Sequence, residues 1–288
     1  ELIFFVEYVI NISSFRKWLS NPSRVLTMGV LNVTPDSFSD GGKFNRLDLA
    51  VKHIDSMLEN GADIIDIGGE STKPGSDPVS VDEELNRVIP IINEVKKTSN
   101  DILISVDTYK SVIAKEAIKA GADIINDISG LAFDEDMAPL LAKKDIPVII
   151  MHIQGKPKTM QHNIYYDDLI NDIKKYFKKR CDYAIKSGIK KSNIILDPGI
   201  GFGKTFKHNY KLLKNLEIFK DMAYPLLIGP SRKAFIGDVL KLPPDERVEG
   251  TIATVVAGIL NGAKIVRVHD VKENKRAIIV TENILAAK

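Results

Sequence analysis

The sequence has one cysteine, no long hydrophobic run and no excess of charge of one sign. Cys181 is the only cysteine among 288 residues, so an internal disulfide is excluded, and no Cys/His spacing suggests a metal site. The most apolar N-terminal stretch, residues 2–12, contains Glu7 and falls far short of the roughly twenty residues that span a bilayer. With 40 basic and 38 acidic side chains the net charge is +2, and no basic block favours nucleic-acid binding. These absences indicate a soluble globular protein without membrane or nucleic-acid partners.

The first 24 residues are expected to form a short extension. Residues 2–12 lack a positive n-region and a small-residue cleavage site, so we do not predict a signal peptide. Their alternation favours a β-strand or β-hairpin. The chain starts at Glu1 and not at Met, which leaves open an upstream segment or an attached domain.

Short apolar, β-branched runs alternate with longer amphipathic stretches over the rest of the chain. The runs are nearly continuously hydrophobic, as in strands that are buried on both faces of a parallel sheet. They predict eight strands over residues 25–30, 63–67, 102–106, 123–126, 147–151, 193–196, 225–228 and 264–268. Helical patterns lie between them, over residues 48–59, 81–97, 111–119, 137–144, 167–187, 209–219, 246–260 and 272–285.

A repeated junction supports this register. The sequence Gly-Ala-Asp-Ile-Ile at residue 61 recurs at residue 121 and, as Gly-Ala-Lys-Ile-Val, at residue 262. In each copy the glycine suits the left-handed C-cap of a helix, and a strand follows. Eight such units fill residues 25–288, which predicts an α/β fold, a (β/α)₈ TIM barrel with a short N-terminal β extension. A doubly wound open sheet is the alternative.

Polar residues follow the predicted strands at one end only. In a (β/α)₈ barrel the carboxyl ends of the strands form the active site. The residues there are Asn32, Asp36, Asp40, Asp66, Glu70, Thr72, Lys73, Asp107, Asn126, Asp127, His152, Gln154, Asp197, Ser231, Arg232, Lys233, Arg267, His269 and Asp270. This asymmetry predicts a ligand pocket at one face of the barrel.

The types of these residues indicate the chemical class of the ligand. Asp107, Asn126 and Asp197 supply acceptors that suit a flat heterocycle with N–H donors, whereas Arg267 and His269 suit phosphate. The turn at residues 229–233 leads into a helix, where backbone N–H groups attract an anion. The residues therefore favour a phosphorylated heterocyclic substrate. Two loops rich in turn formers, residues 34–42 and 68–75, are predicted to be mobile lids.

Long motifs give the sequence a family resemblance. Residues 29–42 closely resemble the first signature of the dihydropteroate synthases, which are pterin-binding enzymes, and residues 63–75 resemble the second. Matches follow in the family's order at residues 105–108, 125–127, 151–155, 197–204, 231–233 and 267–271. The resemblance extends over nearly all of the chain from Arg24 onward.

The resemblance implies a transferase of folate biosynthesis, usually a cytoplasmic homodimer and a sulfonamide target. Such enzymes condense 6-hydroxymethyl-7,8-dihydropterin diphosphate with 4-aminobenzoate and release diphosphate, with Mg²⁺ present. It further implies a pterin site of Asp107, Asn126, Met151, Asp197 and Lys233, diphosphate contacts from Thr72, Arg267 and His269, a 4-aminobenzoate site around Pro74, Phe202 and Ser231, and Asn32 as the Mg²⁺ ligand. The residues expected to act in catalysis are Asp107, Lys233, Arg267 and His269.

One position departs from the family pattern. The second loop usually reads Ser-Thr-Arg-Pro-Gly, and here Lys73 replaces the arginine. Lysine keeps the charge but not the planar fork that binds anions with two hydrogen bonds. We therefore expect a weaker or rearranged contact with substrate anions at Lys73.

Two other functions are compatible with a pterin pocket. A corrinoid-linked methyltransferase shares the pterin-binding barrel, but the loops at residues 32–42 and 68–75 would have no role in it. A pterin-binding paralogue without turnover is the non-catalytic alternative, and Lys73 is its only support. Measuring diphosphate release separates the three.

Overall fold

The protein folds around eight parallel strands, seen in a computed structural model that describes residues 10–33, 43–99 and 101–287. The strands are β1 (Leu26–Asn32), β2 (Ile64–Gly68), β3 (Leu103–Asp107), β4 (Ile124–Asp127), β5 (Val148–Met151), β6 (Ile194–Asp197), β7 (Leu227–Ile228) and β8 (Ile265–Val268). They lie in the order β6-β5-β4-β3-β2-β1-β8-β7. One parallel bridge, Leu196 to Leu226, joins the two ends of this series. The predicted (β/α)₈ barrel is confirmed, and the open doubly wound sheet is wrong.

Helices separate the strands as the sequence predicts. The described ranges contain α1 (Ile12–Ser20), α2 (Lys43–Glu59), α3 (Val81–Thr98), α4 (Ser111–Ala120), α5 (Met137–Lys144), α6 (Leu169–Lys186), α7 (Phe206–Lys214), α8 (Ala234–Leu240), α9 (Val248–Leu260) and α10 (Val271–Ala286). The helix predicted over residues 209–219 starts earlier, because Thr205 caps it through the backbone N–H of His208, and Leu216–Met222 form a 3₁₀ helix. The short α8 is the helix that was expected after the turn at residues 229–233, although no bounds were predicted for it.

The repeated Gly-Ala junctions share one hydrogen-bond pattern. Gly61, Gly121 and Gly262 all have positive φ, between 91° and 114°. In each copy the glycine N–H donates three residues back and the alanine N–H donates five residues back, to the last turn of the preceding helix. The left-handed helix ends that the sequence predicts are therefore confirmed.

Side-chain alternation divides the core into an inner and an outer part. Leu26, Met28, Ile64, Leu103, Ile124, Ile149, Ile195, Leu227 and Ile265 form the inner cluster. Their strand neighbours point outward and pack against the helices in a larger cluster. Because side chains alternate along a strand, the inner series continues toward the carboxyl ends with polar residues.

The N-terminal extension carries a helix where a strand was expected. Residues 12–20 form α1 because Asn11 and Ser14 make a reciprocal capping box at its start. Phe15, Trp18 and Leu19 pack into the inner cluster, so α1 covers the amino-terminal end of the barrel. The β prediction is wrong for this segment, and residues 1–9 lie outside the described residues. The boundary at residue 24 stays a prediction.

The structure also bears on the lone cysteine and on the absence of a long hydrophobic run. Cys181 lies in α6 at 3% exposure, and burial raises the pKa of its thiol to about 11. None of the helices in the described ranges is long and apolar enough to cross a membrane.

Candidate active site

The carboxyl ends of the strands place polar side chains inside the barrel. Asp66, Asp107, Asn126, Asp197 and Arg267 all lie on the last residues of strands β2, β3, β4, β6 and β8 or within two residues of the strand end. Arg267 on β8 reaches Asp107 on β3 across two intervening strands, which is possible only through the barrel interior. The predicted pocket face therefore holds these side chains together.

Arg267 joins two buried carboxylates. Its Nε donates to Asp66 Oδ2 at 2.6 Å and its Nη2 donates to Asp107 Oδ2 at 3.0 Å. Asn126 Nδ2 donates to the same Asp66 oxygen at 3.1 Å. The guanidinium is fixed in plane and direction by this pair of contacts.

Three buried oxygens in this cluster have no hydrogen-bond partner within the described part of the chain. They are Asp66 Oδ1, Asp107 Oδ1 and Asn126 Oδ1. A buried acceptor without a partner costs about 1–3 kcal/mol, so such groups are rare unless a ligand uses them. The cluster is thus complementary to a ligand that presents N–H donors.

Burial shifts the proton affinities of these groups. Burial raises the pKa of Asp107 to about 7, with Arg267 opposing the shift and Asp66 adding to it. Burial also raises the pKa of Asp197, which Lys233 opposes. Burial lowers the pKa of Lys233 to about 8 against the attraction of Asp197. Acids and bases with shifted pKa values in one pocket are typical of functional sites.

Asp197, Lys233 and Phe202 form the opposite wall. Asp197 Oδ1 accepts from the backbone N–H of Gly199 at 2.7 Å. Lys233 Nζ donates to the carbonyl of Ile200 and lies 4.6 Å from the centre of the Phe202 ring. Met151 is buried beside them in an apolar cluster with Ile128, Ile153 and Met160, and the Phe202 ring packs against this cluster. A flat ring fits between such an apolar floor and the polar edge.

His269 and Ser231 form a hydrogen-bonded pair at the rim. The backbone N–H of His269 donates to Ser231 Oγ at 3.2 Å, and Oγ lies 3.0 Å from His269 Nδ1. If the hydroxyl donates to Nδ1, the imidazole carries its proton on Nε2 and can donate it outward. Burial lowers the pKa of His269 to about 4, and the positive charge of Arg267 adds to this shift, so the ring is neutral near pH 7.

The second loop lies beside this cluster without joining it. Lys73 and Pro74 are exposed, Thr72 is half-buried, and none of the three forms a hydrogen bond or ion pair with the carboxylates among the described residues. Glu70 anchors the base of the loop, since it accepts from Tyr109 and from Lys110 at 2.7 Å each. The lid role of this loop stays a prediction, and the first predicted lid, residues 34–42 with Asp36 and Asp40, lies outside the described residues.

Asn32 ends β1 next to the cluster, where it pairs in register with Gly68 of β2. Its amide oxygen is an oxygen ligand of the kind that Mg²⁺ accepts, and Mg²⁺ often keeps waters and substrate phosphates as its other ligands. The described ranges contain no group of three or more His, Cys, Asp or Glu side chains that could hold a metal by themselves. The donor set therefore fits Mg²⁺ only together with a substrate anion.

Asp66 was predicted at the pocket face but was given no role in the site, although it orients both Arg267 and Asn126. It lies two residues after Ile64, whose side chain points inward, so period-two counting along β2 indicates that its side chain also points into the barrel. Lys204 and His152 form a second buried polar contact behind the pocket, with Nζ 2.9 Å from Nδ1. The sequence places both in motifs but does not indicate that they meet.

Comparison with known proteins gives one consistent result. A sequence profile described as pterin binding enzyme matches residues 28–269. The dihydropteroate synthase of Clostridium beijerinckii is 52% identical over 263 residues, which cover 91% of this chain and 95% of that protein. The Escherichia coli K12 dihydropteroate synthase is 48% identical over 270 residues, 94% of each chain.

Solved structures agree in fold and sequence. The Yersinia pestis dihydropteroate synthase with a sulfonamide drug complex is 47% identical and superposes with a TM-score of 0.87, covering 92% of this chain and 96% of that one. The Clostridium difficile enzyme in the presence of pteroic acid is 51% identical, with a TM-score of 0.86 over 91% and 97%. The Xanthomonas albilineans enzyme with 4-aminobenzoic acid is 38% identical, with a TM-score of 0.86 over 92% and 95%.

Proposed function

Because this chain belongs to the family of pterin-binding enzymes, we infer that it catalyses the dihydropteroate synthase reaction. It joins 6-hydroxymethyl-7,8-dihydropterin diphosphate to 4-aminobenzoate, giving 7,8-dihydropteroate and diphosphate in folate biosynthesis. It is therefore a transferase, and its substrates are a pterin and an aminobenzoate.

One observation carries the link from structure to substrate. Among the residues that the structure describes, the buried oxygens Asp107 Oδ1 and Asn126 Oδ1 have no partner, while Asp197 lies across the same pocket. A dihydropterin presents a 2-amino group and ring N–H groups along its edges, and these donors suit such acceptors. We assign Asp107, Asn126 and Asp197 to this edge, Lys233 to the ring carbonyl and Met151 to the ring face.

The residues at the rim account for the departure of diphosphate. The bond between the pterin methylene carbon and the diphosphate oxygen breaks first, and its electron pair leaves with diphosphate. Arg267 and the neutral His269 donate hydrogen bonds to the leaving group, and Arg267 is already oriented by Asp66 and Asp107. Preorganised donors of this kind stabilise developing charge without reorganisation. The amine nitrogen of 4-aminobenzoate then bonds to the methylene carbon and loses a proton.

We place Mg²⁺ at Asn32 in the same proposal. When bound with the diphosphate, the ion would neutralise charge on the phosphate oxygens. The half-buried Asn32 amide next to Gly68 supports this placement. Chelation with EDTA should abolish diphosphate release, and added Mg²⁺ should restore it.

The 4-aminobenzoate site is assigned to Phe202, Ser231, Pro74 and Lys73. The ring of Phe202 and the ammonium of Lys233 lie together at its inner wall. Lys73 offers a charge to the carboxylate, and Thr72 is assigned to the diphosphate, if the second loop closes. Because sulfonamides resemble 4-aminobenzoate, they should compete with it.

A homodimer in the cytoplasm completes the proposal. Helix α10 carries apolar side chains that are 44–64% exposed, namely Ile279, Val280, Ile284 and Leu285. Exposed apolar side chains of this kind support a protein partner on this face. The single buried thiol leaves no disulfide that would need an oxidising compartment.

The deciding experiment follows both products. The chain is incubated with dihydropterin diphosphate, 4-aminobenzoate and Mg²⁺, and diphosphate and dihydropteroate are measured together. Equal amounts of both are expected. Pterin binding without product would support the non-catalytic paralogue, and methyl transfer from methyltetrahydrofolate to a corrinoid would support the methyltransferase.

A further inference from the structure

The segment after β6 is held by side chains rather than by regular structure. The four consecutive carbonyls of residues 200–203 each accept a hydrogen bond from a different side chain. The donors, in order, are Lys233 Nζ, Gln161 Nε2 at 2.8 Å, Lys204 Nζ at 2.9 Å and Tyr166 OH at 2.8 Å. Gln161 and Tyr166 lie in the loop between β5 and α6, Lys204 follows the segment directly and Lys233 follows β7, so three parts of the chain hold its path.

Lys204 is the unusual member of this set. It is 1% exposed, and no carboxylate lies within ion-pair distance of it among the described residues. Its Nζ instead contacts the Phe202 carbonyl at 2.9 Å, His152 Nδ1 at 2.9 Å and the His152 carbonyl at 3.5 Å. The two carbonyl oxygens accept from an ammonium at this position, and His152 Nδ1 accepts its third N–H bond when the imidazole carries its proton on Nε2. Burying a lysine without an ion pair is costly, so a role other than stability has to account for it.

The backbone on either side of Phe202 adopts a conformation that favours glycine. Gly201 and Gly203 both have positive φ, 85° and 61°, a region that glycine enters at no steric cost. A Cβ at Gly203 would lie 2.7 Å from the Gln154 carbonyl, so the close docking of the segment also requires glycine there. The glycines permit the path of the segment, and the bonds to its carbonyls select it.

We propose that Lys204 is a positioning residue, which ties the Phe202 carbonyl to His152 and thereby fixes the Phe202 ring at the wall of the 4-aminobenzoate site. The inference rests on the proposed function for the identity of that substrate. It does not require Lys204 to touch substrate. Desolvation by burial lowers the pKa of Lys204 well below its ordinary value, which agrees with a position chosen for geometry and not for charge.

The first test replaces Lys204 by methionine, which has a similar length and no donor. The KM for 4-aminobenzoate should rise about tenfold or more, which is about 1.4 kcal/mol, and the KM for dihydropterin diphosphate should change by less than about twofold. Lys207→Met, at an exposed lysine of α7, is the matched control and should change neither. Equal increases in both KM values, or a lower kcat alone, would overturn the proposal.

A double-mutant cycle asks whether Lys204 acts through Phe202. In a Phe202→Ala background, Lys204→Met should add less than about twofold to the KM for 4-aminobenzoate, because the ring that it positions is gone. A full tenfold effect in that background would contradict the proposal. Should Lys204→Met fail to fold, Lys204→Gln keeps a donor for the Phe202 carbonyl and should give an intermediate KM with the same preference for one substrate.

Hydrogen exchange separates this inference from the proposed function, because it needs no substrate. In Lys204→Met the amides of residues 200–203 should exchange about tenfold faster or more, while those of β6 keep their rates. An inactive wild-type chain with this exchange pattern would refute the proposed function and keep the anchoring role. Unchanged exchange at residues 200–203 would refute the anchoring role whatever the activity.

Discussion

At the residue scale, the pocket is built around one arginine and the carboxylates that it separates. Without Arg267, Asp66 and Asp107 would face each other as two buried negative charges. With it, one oxygen of each carboxylate is used and the other stays free. On the proposed assignment, the same contacts that fix the guanidinium for diphosphate therefore leave acceptors open for the pterin.

Asp197→Ala should nearly abolish pterin binding. The substitution removes a buried acceptor and leaves the N–H of Gly199 without its partner at 2.7 Å, so a loss of at least about a hundredfold in affinity is expected. Isothermal titration with the pterin measures it. Asp101→Ala, at an exposed aspartate near the other end of β3, is the control, and near-normal affinity of Asp197→Ala would refute the assignment.

Arg267→Ala should slow the release of diphosphate by about a hundredfold or more, as expected for one electrostatic stabiliser. Single-turnover kinetics measure the rate of this step. Arg24→Ala is the matched control, because Arg24 also pairs with an aspartate, Asp63 at 2.5 Å, but at the amino end of the barrel. An unchanged single-turnover rate in Arg267→Ala would contradict the role given to the guanidinium.

At the scale of elements, several strands, among them β2, β3, β4 and β6, have an apolar beginning and a polar end on their inner side. Ile124 and Asn126 on β4, and Ile195 and Asp197 on β6, are each two residues apart and point into the barrel. The apolar member packs in the inner core, and the polar member reaches the pocket. Two inward side chains of one strand, two residues apart, thus serve the core and the pocket respectively.

The helix α1 contributes stability from the opposite end of the barrel. Asn11→Ala removes the cap, in which Asn11 Oδ1 accepts from the Ser14 N–H at 3.0 Å. We expect a loss of about 1 kcal/mol in the free energy of unfolding. Denaturant unfolding measures the loss, and kcat/KM should not change. Asn11→Asp keeps the cap and should be close to wild type, so equal losses in both variants would argue against capping.

The sequence predicted the barrel more completely than the site. The buried runs and the Gly-Ala junctions are local signals, so all eight strands were placed within one or two residues. Nearly continuous apolar runs do not say which side chain points inward, and for that reason Asp66 was placed at the pocket face without a role. The contact between Lys204 and His152 joins residues 52 positions apart, and no local pattern encodes it. The β prediction for the extension rested on the alternation in residues 2–12, whereas α1 starts at the capping box of Asn11 and Ser14 and is held by the inner core.

At the scale of the whole molecule, the near-neutral net charge conceals an unfavourable concentration of buried charge in the pocket. The same burial that prepares the site for ligands weakens the empty protein. Stability in the absence of substrate and affinity in its presence are therefore expected to oppose each other.

Asp107→Asn should stabilise the substrate-free protein in a pH-dependent way. Burial raises the pKa of Asp107 to about 7, above its value of about 4 in an unfolded chain. The protonated carboxyl thus favours folding fully below pH 4, and this stability is lost as the pH rises through 7. The melting temperature of the variant should exceed that of the wild type by about 3 °C or more at pH 8.5, and by less at pH 5. A difference in melting temperature that does not change with pH would contradict the raised pKa of Asp107 as its cause. The turnover of the variant should fall.

Val280→Glu tests the face of α10. Val280 is 60% exposed, and a buried charge there would prevent association. Light scattering after size exclusion should show a dimer for the wild type and a monomer for the variant. Val112→Glu, at a valine of α4 that is 50% exposed, should remain dimeric; a wild-type monomer would refute the dimer.

The single bridge between β6 and β7 has a consequence for ligand binding. Leu196 and Leu226 are the one strand-to-strand link at this seam in the described part of the chain, and Asp197 and Lys233 lie just beyond it on the two sides. A pterin held by both residues connects the two edges through its own ring atoms. The substrate then adds hydrogen bonds at the seam between β6 and β7, where the backbone provides few. Part of its binding energy therefore appears as added rigidity of the barrel.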